Sequence, residues 1–411
     1  DQLQDVLALL EVDPARVREQ LLLCAAHQYE SGDVQHWWHP PYTGVRTRIS
    51  DDRLFLPYVA ACYAKATGDE AVFDEVVPYL KDVPIPENRH DVYHEAELSD
   101  RRGTLREHCL KAIWASLRTG EHGLPLMGAG DWNDGMDAVG SRSKGESVWL
   151  GWFTAAVIDA FLPYCGGEDR KTLKRKAEEL RVALDKHGWD GEWYKRAYFD
   201  DGSPLGSREN SECRIDLISQ AWSALADGPK KRVEAALSAA KRLLVDRQAG
   251  IVKLLDPPLQ RQLPKAGYIQ SYGRGLRENG GQYTHAAAWL ILALIKTGRA
   301  EEAAELFSML NPIRHSDNPI ICAIYRGEPY VMAGDVYDGD WPGRAGWTWY
   351  TGSAAWMYRA GLALLGLRKE GGRMWLSGGA ERFADCEVEF DGKKVERLEG
   401  ERATNSAPPD E

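Results

Sequence analysis

The 411-residue chain predicts an all-α fold, a helical toroid with its site at one mouth, on three observations. Apolar residues recur at spacings of three and four in eleven stretches, no convincing strand pattern interrupts them before residue 367, and the connections between them are of two kinds. Helices are expected at about 14 to 30, 52 to 66, 70 to 80, 103 to 119, 147 to 164, 168 to 187, 212 to 226, 230 to 245, 282 to 297, 299 to 309 and 351 to 366. The loops within 67 to 69, 227 to 229 and 297 to 300 are short and plain. Those at 31 to 51, 120 to 146, 188 to 211, 250 to 281 and 310 to 350 are long and carry Gly, Pro, Trp and charge. Long loops in a compact protein are usually functional, and with the short loops at one end of the toroid the long ones converge on the other.

After Leu367 the pattern changes. The segments Arg373-Met-Trp-Leu-Ser377 and Cys386 to Val395 alternate like strands around an Asp391-Gly392 turn, and the polar stretch from Glu399 to Glu411 reads as disordered. The expected division is a barrel over 1–368 and a short β-like tail over 369–411.

Bulk properties exclude several classes. A net charge of -11 argues against nucleic acid or an anionic membrane as the main partner, since both demand clustered Lys and Arg. Fifteen Trp and seventeen Tyr suit carbohydrate binding, although most such rings are expected to fill the core. The seven cysteines (Cys24, Cys62, Cys109, Cys165, Cys213, Cys322, Cys386) are scattered and include no C-x-x-C pair, so neither a disulfide framework nor a zinc site is expected, and a reducing compartment fits. No apolar run approaches the about 18 residues of a membrane span and no signal peptide opens the chain, which reads as cytoplasmic. The first residues, Asp1-Gln-Leu-Gln-Asp5, lack Met and read as the last turns of a helix, so the start is expected not to be a native N-terminus.

The chemistry-bearing stretch is His122-Gly-Leu-Pro-Leu-Met-Gly-Ala-Gly-Asp131-Trp132-Asn133-Asp134-Gly135-Met136. Glycine costs roughly 1 kcal/mol inside a helix, so this is a loop whose backbone can approach a ligand closely. Trp132 offers a flat face for a sugar ring, and Asp134 an acid that burial could keep protonated. Asn-Asp-Gly is also a common turn sequence. A calcium loop would need Gly at 136 and Glu at 142, where the chain has Met136 and Arg142.

Three further segments carry polar groups. Gly32 to Pro41 runs into Gly44 to Asp52, where Arg46, Arg48, Asp51 and Asp52 could hold sugar hydroxyls or simply bridge one another. His36 and His39 stand beside Asp33 without helical phase or a third ligand, so no metal is expected. Arg277-Glu278-Asn279-Gly-Gly-Gln282-Tyr283-Thr284-His285 and Trp347 to Ser353 each open a helix, where free N–H groups favour an anion or merely form a cap. Serine-hydrolase, nucleotide-loop and dinucleotide motifs are missing. One acid and two anion positions on the long loops suggest cleavage of a sugar linkage in which an inorganic anion attacks.

Gly123 to Met136, Gly145-Glu-Ser-Val-Trp-Leu-Gly-Trp152, Arg277 to His285 and Gly346-Trp-Thr-Trp-Tyr-Thr-Gly-Ser353 resemble glycoside hydrolase family 94, formerly glycosyltransferase family 36. The wording is nearest to the phosphorylase-like C-terminal part of cyclic β-1,2-glucan synthase, and the likeness spans about residues 1 to 368. The resemblance implies an (α/α)6 toroid, here expected to be truncated at its N-terminus and without the family's β-sandwich and C-terminal jelly roll. It implies that Asp134 is the general acid, that Arg46, Asp52 and Trp132 hold the donor sugar, and that Tyr272, Arg277 and Glu278 lie at the acceptor. It implies that His285, Thr351 and Gly352 seat phosphate. No cofactor is implied, since inorganic phosphate is the co-substrate and attacks the anomeric carbon directly to give α-glucose 1-phosphate. The implied partners are a β-gluco-oligosaccharide, β-1,2-linked by preference, and phosphate, in a homodimer or a longer multidomain chain. A non-catalytic sugar-binding remnant and an inverting hydrolase are the alternative readings.

Overall fold

The computed structural model describes residues 1–396. Twelve α-helices are found among them: α1 (Gln2–Val6), α2 (Pro14–Ala25), α3 (Phe55–Thr67), α4 (Leu105–Ser116), α5 (Val148–Phe161), α6 (Gly167–Ala183), α7 (Leu217–Leu225), α8 (Lys230–Leu244), α9 (Thr284–Lys296), α10 (Ala300–Leu310), α11 (Pro319–Tyr325) and α12 (Thr351–Leu365). Contacts run from α1 to α3, α5, α7, α9 and α12 and back to α1, closing a ring, while α2, α4, α6, α8 and α10 pack outside it. The chain is a helical toroid.

Sequence separates the two rings. Helix α5 is apolar on nearly every side and buries Val148 to Ala155, Val157, Ile158 and Phe161, as an inner helix must when neighbours surround it. Its outer partner α6 is polar and buries a single stripe, Leu173, Ala177 and Leu180, spaced four and three apart. Inner helices α5, α7, α9 and α12 each contribute a Trp to the axis. The Trp289 ring lies 6.0 Å from Trp149, 5.3 Å from Trp222 and 5.7 Å from Trp356.

Strands correct the all-α expectation. The segment at 70 to 80, expected to be helical, is a 3-10 turn over Glu70–Asp74 followed by strand Val76–Leu80, which pairs with Leu98–Thr104. Pro78 has no N–H for a helix interior, and Val76 and Val77 favour extended backbone. The loop expected at 31 to 51 contains Gln35–His39 and Thr43–Thr47, paired antiparallel, with Asp91–Glu95 on the second of them. This small sheet beside the mouth fixes where the 32 to 52 segment enters the site.

In the tail, Leu367–Glu370 pairs with Arg373–Leu376, and Val388–Phe390 pairs with Lys393–Val395 across Asp391 and Gly392. The stretch from Glu399 to Glu411, expected to be disordered, lies outside the described residues. Among the described residues no helix is long and apolar enough to cross a membrane.

Candidate active site

The loop between α4 and α5 is held from three sides. Gly128 and Gly130 adopt φ of +66° and +122°, which lets the chain press against Arg48 and Ser50: Ala129 N–H donates to the Arg48 carbonyl at 3.1 Å, and Ser50 N–H and Oγ–H donate to the Gly130 carbonyl at 3.1 and 3.0 Å. Asn133 Oδ1 accepts from Gly135 N–H at 3.1 Å and closes the turn under Asp134. Beneath it Asp131 is fully buried. Its two oxygens accept from Arg196 at 2.5 and 2.7 Å, and Oδ2 also accepts from Ser147 Oγ–H, whose hydroxyl oxygen caps α5. Arg196 is likewise buried, and Asp216 stands 3.4 Å from its Nε. The buried guanidinium thus anchors the loop to the inner helices, while Trp132 and Asp134 face outward.

Both line a cavity of about 420 Å³ with His36, Asp52, Tyr272, Arg277, Glu278 and Tyr350. That volume is in the range of small-ligand sites. The wall nearest Asp134 is an ionic chain. His36 Nδ1 lies 2.8 Å from Asp52 Oδ2, and its Nε2 lies 3.4 Å from Asp134 Oδ2. Burial alone would pull the His36 ring's affinity for its second proton down. The Asp52 and Asp134 carboxylates overrule it and hold the ring up at about 11, so it is an imidazolium at neutral pH. Asp51, buried behind them, is pushed well above the usual carboxylate range by burial first and then by Asp52, Asp131 and Asp134.

Opposite, the Arg277 guanidinium lies 5.2 Å over Tyr272 and 5.5 Å over Trp347, from a backbone at φ +49°. Arg277 Nε is 3.7 Å from Glu278 Oε2, and burial raises the Glu278 carboxyl above its ordinary value.

The three residues expected at the anion position come together behind Tyr350 rather than on the cavity wall. A Cβ on Gly352 would lie 3.5 Å from His285 Nδ1, and Thr351 Oγ–H donates to Asp5 at 2.7 Å. His285 is fully buried, its ring 5.3 Å from that of Trp132, and burial drives it well below the ordinary histidine value, so it is neutral. Its tautomer follows from its neighbours. Trp356 Nε1, which can only donate, contacts Gln4 Oε1 at 2.9 Å, so that atom is an acceptor, and His285 Nε2 at 2.8 Å must donate to it. Nδ1 is then a bare acceptor without a hydrogen-bond partner.

Arg46 is elsewhere. It lines a second cavity, of about 500 Å³, and its guanidinium is taken up by Asp33 at 2.7 and 2.8 Å, by Asp82 at 3.0 Å and by the Val83 carbonyl. The expected donor-sugar contact is therefore corrected to the salt-bridged alternative: the strand Thr43–Thr47 turns this side chain away from Asp134. Asp52 and Trp132 of the same expected group do face the main cavity. Sequence reasoning missed Arg196, 65 positions from Asp131 with no local signal, and weighed His36 only as a metal ligand.

Comparison with known proteins gives this geometry a lineage. The glycosyl hydrolase 94 superfamily catalytic domain matches residues 1–366. The chain belongs to the glycosyl hydrolase 94 family. This glycosyl hydrolase 94 chain is 49% identical over 383 residues to a cyclic beta-(1,2)-glucan synthase of Rhizobium meliloti (strain 1021), covering 91% of the chain and 14% of the synthase. It is 33% identical over 378 residues to a solabiose phosphorylase of Paenibacillus borealis, covering 88% of the chain and 45% of that enzyme. It thus spans less than half the length of these curated relatives. Among solved structures, a GH78 family rhamnosidase of Bacillus sp. GL1 superposes with a TM-score of 0.56 at 14% identity over 92% of the chain and 33% of that structure. A GH63 mannosylglycerate hydrolase of Thermus thermophilus gives 0.55 at 11% over 87% of the chain and 92% of that structure. At these identities the likeness is one of fold.

Proposed function

We propose that this chain is the phosphorylase-type catalytic module of a β-glucan synthase, an (α/α)6 toroid acting on β-linked gluco-oligosaccharides, β-1,2-linked by preference, at the cytoplasmic face of the membrane. Asp134 gives its proton to the bridging oxygen, the C1–O bond breaks, and phosphate attacks C1 from the opposite face. The products are α-glucose 1-phosphate and a glucan shorter by one unit. Trp132 and Asp52 hold the donor ring, while Tyr272, Arg277 and Glu278 face the acceptor. Phosphate is assigned to the corner of His285, Thr351 and Gly352, where the His285 Nδ1 is a bare acceptor behind Tyr350. Because the phosphate is itself the nucleophile, no second carboxylate has to activate water.

The observation that carries this reading is the adjacency of the Trp132 and His285 rings, 5.3 Å apart, which puts the acid's loop against the oxyanion corner. The family membership and the names of the two relatives above support it. The test is phosphate-dependent release of α-glucose 1-phosphate from β-1,2-oligoglucan, with Asp134→Asn expected to lower it at least about 10²-fold while the circular dichroism spectrum is retained. A D134N variant at wild-type rate would overturn the assignment.

One observation favours a second reading. Glu278 lines the same cavity, and its Oε2 is buried without a hydrogen-bond partner, a carboxylate placed to act as a base. An inverting hydrolase would turn over in phosphate-free buffer and lose that activity on Glu278→Gln.

A further inference from the structure

The contact between Asp134 and His36 is unusual in its support. His36 is fixed on its far side by Asp52 at 2.8 Å, its ring is half-buried in the wall of the cavity, and its second nitrogen is directed at Asp134 Oδ2 from 3.4 Å. We propose that His36, clamped by Asp52, is a positioning residue for Asp134: a fixed cation that holds one oxygen of the carboxyl in place, leaving the other oxygen to exchange a proton with the substrate. The proposal rests on the reading of Asp134 as the proton donor.

The surroundings single out this histidine. Asp51 and Asp52 face Asp134 from the turn before α3. Tyr268 and Tyr272 face it from the 268–272 turn, Glu278 from the loop before α9, and Tyr350 from the start of α12. All of these are acids, and each anion among them resists a further negative charge on Asp134. Of the nearby cations, Arg277 is turned to Glu278, Tyr272 and Trp347, and Arg53 is set among Asp33, Asp51 and Asp52. Among the described residues His36 is the cationic group within ion-pair distance of Asp134. It supplies an opposite charge to Asp134 in a cavity whose wall also carries Asp51, Asp52 and Glu278.

The consequence for the reaction is an acid whose conjugate base is stabilised in place. As negative charge develops on Asp134 during proton delivery, the imidazolium meets it without any rearrangement, the condition under which fixed charge lowers a barrier. When the proton returns, Asp52 keeps the ring in register. Coupling between two titrating groups is reciprocal, so whatever His36 does to Asp134, Asp134 does equally to His36.

That reciprocity gives a test independent of any activity. In histidine-selective 15N NMR of the whole chain, His36 is expected to remain doubly protonated past about pH 9, and Asp134→Asn to lower its midpoint by about one unit or more, the scale of a single opposite charge at this distance. An unmoved midpoint in D134N overturns the proposal whether or not the chain is a phosphorylase. The second readout is the split between kcat and KM for phosphorolysis. In His36→Gln the Asp134 carboxyl loses the cation that fixes it, and kcat should fall about tenfold or more with KM little changed. A KM that rises as far as kcat falls would mark His36 as structural only. Absence of phosphorolysis in the wild-type chain would sink the functional reading and leave the NMR result to decide this one.

Discussion

Replacing Arg196 by Leu should destabilise the whole toroid and loosen the site at once. Arg196 is fully buried and neutralises Asp131 through two hydrogen bonds of 2.5 and 2.7 Å, with Asp216 3.4 Å from its Nε. Removing the guanidinium strands two carboxylates in the interior, a change that costs about 3 to 5 kcal/mol when a buried pair is broken from one side. An unfolding entropy of about 2.1 cal/mol/K per residue, summed over a chain of this length, makes that a fall in Tm of roughly 4 to 6 °C. Differential scanning calorimetry at neutral pH reads it directly. The double variant R196L/D131N removes one stranded charge and should recover at least half of the loss, since the penalty lies in the unpaired anion rather than in missing bulk. A single variant melting within about 1 °C of wild type, or a double variant no better than the single, would refute this account of the anchor.

Two further outcomes concern the same loop and the turn before α3 that packs on it. At Gly128 a Cβ would run into the Arg48 carbonyl oxygen, and the φ of +66° disfavours any side chain, so Gly128→Ala should lose at least about 1 to 3 kcal/mol in urea unfolding. Asp51 holds its proton in the folded chain at pH values where the unfolded chain has released it, so its contribution to stability is full below the ordinary carboxylate value of 3.8 and is lost as pH rises. Asp51→Asn, neutral at every pH, should flatten that decline, and urea midpoints at about pH 4.5, 6 and 8 should diverge in the variant's favour.

The helical rings were legible because burial leaves a periodic trace. Helix α5 is apolar all round and α6 has one stripe, so their ranges of 148–161 and 167–183 fall inside the expected 147 to 164 and near the expected 168 to 187. The small sheet was not legible in the same way. Strand Gln35–His39 alternates in burial, yet its aromatic and imidazole side chains carry no clear apolar period, and the third strand, Asp91–Glu95, joins Thr43–Thr47 from a distant segment. Strand Val76–Leu80 follows a helix-like run, and only Pro78 with the β-branched Val76 and Val77 argued for extended backbone. In the site, Trp132, Asp134, Arg277 and Glu278 could be singled out because glycines and neighbouring polar groups mark their loops. Arg46 could not be separated from a salt-bridged residue until Asp82 was seen beside it, 36 positions away. His36 gave no sign of its neighbour for the same reason: a residue 98 positions distant in sequence completes its ion pair.

The tryptophans of α5, α7, α9 and α12 meet on the axis, and Trp289 touches Trp132 from below at 5.2 Å. The toroid is therefore a cup rather than a tunnel. Under the proposed function, a glucan would not be threaded through the ring of indoles, and its end would enter and leave by the same mouth. Removal of units one at a time from an end, if the proposed phosphorolysis holds, is then a matter of plumbing set by four indoles packed below the cavity.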